Sequence, residues 1–500
     1  MMRFSRSLLA ATALAAALVS IAPATGAELV IGRPASPATF DPGFLKEAAT
    51  LVDNVFDTLV LRDAEMKLVP GLALSWKALD DTTWEIKLRP GIKFHNGEAF
   101  DAEAVKFTFE RVLDPAAKSP TISYIRTVAG VDVVDPLTVR IRTNGPDPLL
   151  PTRLSRYPAY IVPPAYVKQV GAAEFARRPV GTGPYKVTEF VPDDHVTMVA
   201  NEAYWRGKAT IDKVVWRPIP EATARIAALL SGEVQFIESV PAELVDTLKT
   251  SGAADVVDVK NGGLTIYLGL KSAEKPLDDA RVRRALSLAI DRKGLTTDIL
   301  KGKATPTGTQ VSPFDAGYKD IPTPAYDPAA AKKLLAEAGY PNGFTIRFQA
   351  PRRYISSAEV AQAVVQQWAA IGVKAELEVP EWSVYAQQVP AGKQAPIYML
   401  AWGSTQTLDA DAALYAILKS GEPYSTVADK ALDALLDESR KTIAPDARAA
   451  IFAKIQDHAA ETVPLITLYR EDSLYGKAKS VTFGGRPDAR IPVYDIRVVK

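Results

Sequence analysis

Arg352-Arg353-Tyr354 lies between a run of alternating apolar residues and a helical stretch that begins near Ser357. Loops in that position, joining a strand to the next helix of an open sheet, are where ligand contacts are presented. A guanidinium grips a carboxylate through two parallel hydrogen bonds, so Arg353 is a candidate for holding an acidic group, with Tyr354 stacking or hydrogen-bonding beside it. Arg352 is the weaker choice of the pair, and a solvated basic loop is the plain alternative. Further on, Trp402-Gly403-Ser404-Thr405 offers a rigid apolar wall with one N–H donor, followed by two hydroxyls able to donate to carbonyl or carboxylate oxygens. Asp409 and Asp411 either hold an amine or cap the helix starting near Ala410, and capping is the better reading for Asp411. Trp382, Tyr385, Tyr267 and the loop Ala35 to Phe40 are subsidiary lining candidates, because aromatics at strand ends more often pack. This is chemistry for holding a molecule.

Chemistry for transforming one is missing from the sequence. There is no cysteine, which removes disulfides, thiol catalysis and thiolate metal sites. His95, His195 and His458 lie far apart without metal-ligand spacing, so neither a metal nor a cofactor is expected. Gly181-Thr182-Gly183 is half of a nucleotide loop, but no Lys-Ser/Thr follows and Pro184 breaks a helix start; a turn before a strand at Tyr185 is the simpler account. No GxSxG elbow or SxxK motif supports a serine hydrolase.

The elements that must position these residues alternate in type. Glu28 to Gly32 reads as a strand and Ala48 to Leu59 as a helix with Leu51, Val55 and Leu59 on one face. Trp84, Ile86 and Leu88 alternate with charged residues as a half-buried strand, Asn96-Gly97 turns, and Asp101 caps a helix through Val105, Phe109 and Val112. Hairpins are expected around Asp135-Pro136 and around Pro192-Asp193-Asp194, and a loop around Pro158, Pro163 and Pro164. Strand, helix, strand follows from Val214 to Ile237, a βαβ-type unit. The second half repeats the logic: a helix from Asp327-Pro328 to Gly339, a strand through Phe344, Ile346 and Phe348, a helix through Val360, Val364, Trp368 and Ile371, and a strand from Val373 to Val379. Strands return at Val481 to Phe483 and Ile491 to Val499.

The length, 500 residues, requires more than one lobe. A net charge of +1 gives no global field for nucleic acid or an anionic membrane, so charge recognition must be local. Met1 to Ala27 reads as an export signal: Arg3 and Arg6, then the apolar run Leu8 to Ile21, then small residues, with cleavage after Ala27 preferred over Ala24. No later stretch is long and apolar enough for a spanning helix, and without cysteine there is no lipid anchor. A soluble periplasmic protein is expected.

Leu72 to Gly97, LALSWKALDDTTWEIKLRPGIKFHNG, resembles the signature region of the periplasmic solute-binding proteins that serve dipeptide, oligopeptide, nickel and glutathione ABC importers, the extracellular solute-binding protein family 5. Gly181 to Phe190, Asn201 to Gly207, Ala228 to Ile237, Pro276 to Leu295 and Tyr326 to Phe344 resemble the same family in order and spacing. The resemblance implies a two-lobed α/β clamp, of the class II periplasmic binding protein kind, with an extra subdomain in the first lobe. Its divisions would be the signal 1–27, first lobe 28–52, inserted subdomain 53–179, first lobe again 180–270, second lobe 271–477 and a return 478–500, with crossings near Leu270 and Lys477. It also puts Trp402 on the cleft wall. Peptide binders of the family follow this tryptophan, three residues on, with an aspartate for the peptide's amine; here Thr405 stands there, and the segment is more similar to the glutathione-binding subgroup.

The implied function is solute capture for a membrane permease and its ATPase subunits, by a monomer that is not an enzyme, with a short peptide or peptide-like solute as ligand and no nucleic acid partner. A metal chelate, heme or opine in the same fold is the alternative; an exported peptide hydrolase or a chaperone is a different class.

Overall fold

The computed structural model describes residues 27–45, 50–404 and 407–499. The expected export signal, apart from Ala27, and Thr405 lie outside the described residues.

Two sheets organise the chain. The first has seven strands in the order Ala254–Val259, Ser473–Ala478, Phe236–Ile237, Glu28–Arg33, Lys213–Pro218, His195–Ala200 and Tyr185–Val191. Glu28–Arg33 pairs in parallel with both Lys213–Pro218 and Phe236–Ile237, so the βαβ unit straddles it. The unit's helix, Ala222–Leu230, buries Ile226 and Leu229, and Gly232 at φ 81° then reverses the chain, a conformation glycine adopts without steric cost. The second sheet has six strands, Ala304–Pro306, Leu465–Glu471, Thr265–Leu270, Ile397–Trp402, Phe344–Gln349 and Val373–Glu378. Helices cover both of its faces: Ser357–Ala369 buries Val360, Val364 and Trp368 in one core, while Ala410–Leu418 buries Leu414 and Ile417 in another.

A four-stranded antiparallel sheet, Ala73–Asp80, Thr83–Leu88, Thr138–Thr143 and Val128–Asp135, builds the accessory subdomain. Trp84, Ile86 and Leu88 point into its core, and Glu85 pairs outside with Arg140 at 3.1 Å. Asp101 accepts the Ala104 N–H at 3.1 Å and starts the helix Ala102–Leu113, whose Val105, Phe109 and Val112 close that core.

The chain is thus a two-lobed α/β clamp. It passes between the main sheets at residues 260–264 and at Asp472, ahead of the expected Leu270 and Lys477, which lie inside strands of the second and first sheets respectively. Thr265–Leu270 is buried at every position, so its sequence carries no alternation to say which sheet it joins. The two crossings are tied together: Gly263 N–H donates to the Glu471 carbonyl at 2.9 Å, and Lys260 reaches the buried Asp472 carboxylate at 2.7 Å.

Three expectations need correction. The helix from Ala48 to Leu59 falls partly outside the described residues, and the rest is only the 3-10 turn Val52–Asn54. Leu51, Val55 and Leu59 are buried as their spacing requires. Helix propagation fails because the segment is a docking rail: Asn54 bonds the Ile491 carbonyl and the Val493 N–H, and Gly183 N–H takes the Val55 carbonyl. The proline-rich passage contains the start of a helix, Pro164–Phe175, with Pro164 at the first position, where no N–H is needed. At the C-terminal end, Val481–Thr482 pairs with Arg497–Val498, but a 3-10 turn, Val493–Asp495, occupies part of the expected second strand.

Candidate functional site

The strands Thr265–Leu270 and Ile397–Trp402 run side by side in the second lobe, with Tyr267 opposite Leu400. Both residues point into one cluster, which also packs the buried Tyr385 and the half-buried Trp382, Trp402 and Tyr424. Helix Trp382–Gln388 begins with Trp382, and its Tyr385 hydroxyl donates to the Met399 carbonyl at 2.7 Å, fixing the helix to the sheet. Tyr267 is 1% exposed and its hydroxyl has no hydrogen-bond partner among the described residues. Burial raises its ionisation far above the ordinary range, so it is a neutral O–H.

The loop after Phe344–Gln349 brings Arg353 and Tyr354 to the edge of this cluster. Tyr354 lies 6.1 Å from Trp382 between ring centres, and the Arg353 guanidinium lies 5.4 Å from the same indole while remaining solvent-exposed. Arg352 is exposed beside it. Burial pushes Tyr354 up to about 12, so it too is a neutral hydroxyl. Tyr267, Tyr354, Trp382 and Tyr385 therefore form an aromatic wall that ends in a cation.

Trp402 extends the wall at the other end. Its indole N–H donates to the Ala412 carbonyl at 2.8 Å and its ring packs on Tyr424, 4.9 Å between centres. The polar tip of Trp402 is thus spent on the fold, and only its ring faces are available for contact. Ser404 is buried, and its hydroxyl donates to the Asp315 carboxylate. Burial raises Asp315 to about 6 against the opposing hydrogen bonds from Ser404 and the Ser312 N–H. Ser404 thereby orients a buried acid at the base of the loop.

The structure gives Asp409 and Asp411 arginine partners of their own. Asp409 is the helix cap, accepting the Asp411 N–H at 2.9 Å, and both its oxygens bond Arg448. Asp411, the residue expected to cap, pairs with Arg440 at 2.7 and 2.9 Å. With its carboxylate engaged by a cap and a buried arginine, Asp409 is not available to an amine. Phe40, from the loop Ala35 to Phe40, is fully buried and packs edge-on against Phe190 in the first-lobe core. Tyr424, Asp315 and Glu471 are site-adjacent residues that sequence reasoning missed. Glu471 ends a central strand, accepts the Ile355 N–H at 3.2 Å and is pushed up to about 7 by burial, with the Arg353 charge opposing. No group of histidines and carboxylates able to hold a metal occurs among the described residues.

Comparisons with known proteins agree with this architecture. Residues 67–425 match the model of the bacterial extracellular solute-binding proteins, family 5. The chain is 30% identical over 493 residues to the glutathione-binding protein GsiB of Escherichia coli K12, covering 95% of each. Among solved structures, the ABC transporter-associated periplasmic binding protein DppA of Helicobacter pylori in complex with the peptide STSA overlaps with TM-score 0.73 at 26% identity, covering 95% of this chain and 98% of that one. The murein tripeptide-binding protein MppA in its unliganded open form overlaps with TM-score 0.85 at 23% identity, with the same coverage of 95% and 98%.

Proposed function

Because this chain belongs to the bacterial extracellular solute-binding proteins of family 5, we propose that it captures a short peptide or peptide-like, carboxylate-bearing solute between its lobes and delivers it to the permease of an ABC importer. The observation that carries this reading is the exposed Arg353 guanidinium at the end of the aromatic wall formed by Tyr354, Trp382 and Tyr267. The arginine takes a ligand carboxylate bidentately and the rings take the apolar backbone and side chains. Since Asp409 is committed to Arg448, an ordinary peptide amine has no carboxylate from this residue. That favours ligands recognised chiefly through their carboxylates, and glutathione, for which the 30%-identical relative is named, carries two.

The chain binds and releases rather than transforms. Its tied crossings at 260–264 and Asp472 form the hinge, and a ligand bridging the lobes draws the equilibrium to the closed form. No helix among the described residues is long and apolar enough to cross a membrane. Together with the signal-like Met1 to Ala27 this supports release into the periplasm.

Thermal-shift screening of ligand-stripped protein against glutathione, dipeptides, opines and metal chelates tests the reading, because a specific binder raises the melting temperature by mass action. X-ray scattering on the hit should then give a smaller radius of gyration. A bound solute that leaves the radius unchanged would sink the clamp mechanism.

A further inference from the structure

The loop between the strand Phe344–Gln349 and the helix Ser357–Ala369 carries Arg353, and most of its backbone bonds stay within it. Arg353 N–H donates to the Pro351 carbonyl at 2.9 Å, Ser357 N–H to the Tyr354 carbonyl at 3.2 Å, and the Ser357 hydroxyl to the Pro351 carbonyl at 2.7 Å. Ser356 precedes the helix at φ 46°, and its side chain does not cap it. Among the described residues, one hydrogen bond from the backbone of 351–357 leaves the loop and its helix: Ile355 N–H donates to the Glu471 carboxylate at 3.2 Å.

Glu471 is itself held at the hinge. It ends the strand Leu465–Glu471, directly before the crossing at Asp472. Its N–H donates to the Leu264 carbonyl at 3.0 Å and its carbonyl accepts the Gly263 N–H at 2.9 Å, so its backbone is bonded to the other crossing. The approach is close, since a Cβ on Gly263 would lie 2.7 Å from the Glu471 carbonyl oxygen. Lys260 and the Asn261 N–H hold the next residue, Asp472, at 2.7 and 3.1 Å. One residue thus has its backbone in the hinge and its side chain on the loop that bears Arg353.

We propose that Glu471 is a positioning residue: its carboxylate fixes the Arg353 loop to the hinge strand and so sets where the guanidinium meets a ligand. The proposal rests on the reading of Arg353 as the grip for a ligand carboxylate. The surrounding charges supply a reporter of that role. Arg353 acts on Glu471 from the loop and Asp472 from its own chain, with Tyr354 and Tyr469 as neighbouring hydroxyls. Asp472 is paired with Lys260, and Lys303, beside the adjoining strand, with Asp258. Burial raises Glu471 to about 7 while the Arg353 charge opposes. A ligand carboxylate on Arg353 cancels part of that opposition, so Glu471 holds its proton more tightly in the complex. Affinity then falls as pH rises through about 7.

Hydrogen exchange of the ligand-free full chain and calorimetric titration with glutathione, from about pH 6 to about pH 8, test the role. Glu471→Ala should speed exchange at the Ile355 N–H and weaken glutathione about two- to tenfold, the cost of ordering a freed loop on binding. Glu471→Gln should recover both, because its amide oxygen still accepts the N–H, yet lose the fall in affinity with pH that the wild type shows. A merely structural role would leave that profile the same in the variant. Unchanged exchange at Ile355 or equal glutathione affinity in Glu471→Ala, or an unaltered pH profile in Glu471→Gln, would overturn the proposal. Should glutathione not bind the wild-type chain, it is the reading of Arg353 that fails for that solute, and exchange at Ile355 alone decides whether Glu471 holds the loop.

Discussion

Arg448 meets Asp409 through hydrogen bonds of 2.6 and 2.8 Å, with both side chains buried, and the same carboxylate caps the helix that follows Trp402. A feature that reads in sequence as a possible amine ligand is thereby a structural bolt between that helix and Pro445–Thr462.

Asp409→Ala should therefore act on stability. It leaves the Arg448 guanidinium buried and unpaired and removes a helix cap, a loss of about 3–5 kcal/mol. Urea denaturation should show the lower midpoint, while the folded protein keeps its ligand affinity. If affinity falls and stability does not, Asp409 returns to the binding site.

Arg353→Ala should do the reverse. The guanidinium is exposed and lies over the Trp382 ring, so unfolding should change by less than about 0.5 kcal/mol. Affinity for a carboxylate ligand should weaken by about 1.5–3 kcal/mol, the range for hydrogen bonds to charged groups. Calorimetry reads the binding, and unchanged affinity would remove Arg353 from the site.

The contrast between these two residues explains what could be read from the chain. Alternation and capping are local, so Trp84 to Leu88, Asp101 and Asp327 announced their elements correctly. The aromatic wall was half legible, because Trp382, Tyr267 and Tyr354 are the right residue types near strand ends. Whether a polar side chain is free or spent depends on a partner elsewhere: Asp409 on Arg448, Ser404 on Asp315. No spacing in the sequence encodes those pairings. The point where the chain leaves the first sheet is hidden for a related reason, since the uniformly buried Thr265–Leu270 fits a central position in either sheet.

Glu471 should impose a pH dependence on stability. Burial raises its carboxyl from the ordinary 4.5 to about 7. Between those values the folded state keeps a proton that the unfolded state releases, so stability falls as pH rises through about 4.5 to 7 and levels off above. Glu471→Gln should reduce that slope. Asp315, raised to about 6 by the same cause, would still contribute, as would Asp53, Asp57, Glu238 and Asp472, which burial also raises. Denaturation midpoints measured across this range test it; an identical slope in the variant would show that the Glu471 proton is not held.

The glycines that looked like half of a nucleotide loop have a packing role that can be measured. A Cβ on Gly183 would lie 2.5 Å from the Val55 carbonyl carbon and 2.8 Å from the Phe56 nitrogen, and one on Gly181 would lie 2.0 Å from the Val55 oxygen. Those neighbours are backbone and cannot swing aside. The same strip is pinned by the Gly183 N–H to Val55, by Thr182 to Asp57 and by Asn201 to the Gly183 carbonyl. Gly183→Ala must push the two segments apart, at a cost of about 1–3 kcal/mol or more. Gly484→Ala, where a Cβ would meet nothing within 4 Å, should change stability by less than about 0.5 kcal/mol. Equal denaturation midpoints for the two variants would refute close backbone packing as the reason for glycine at 183.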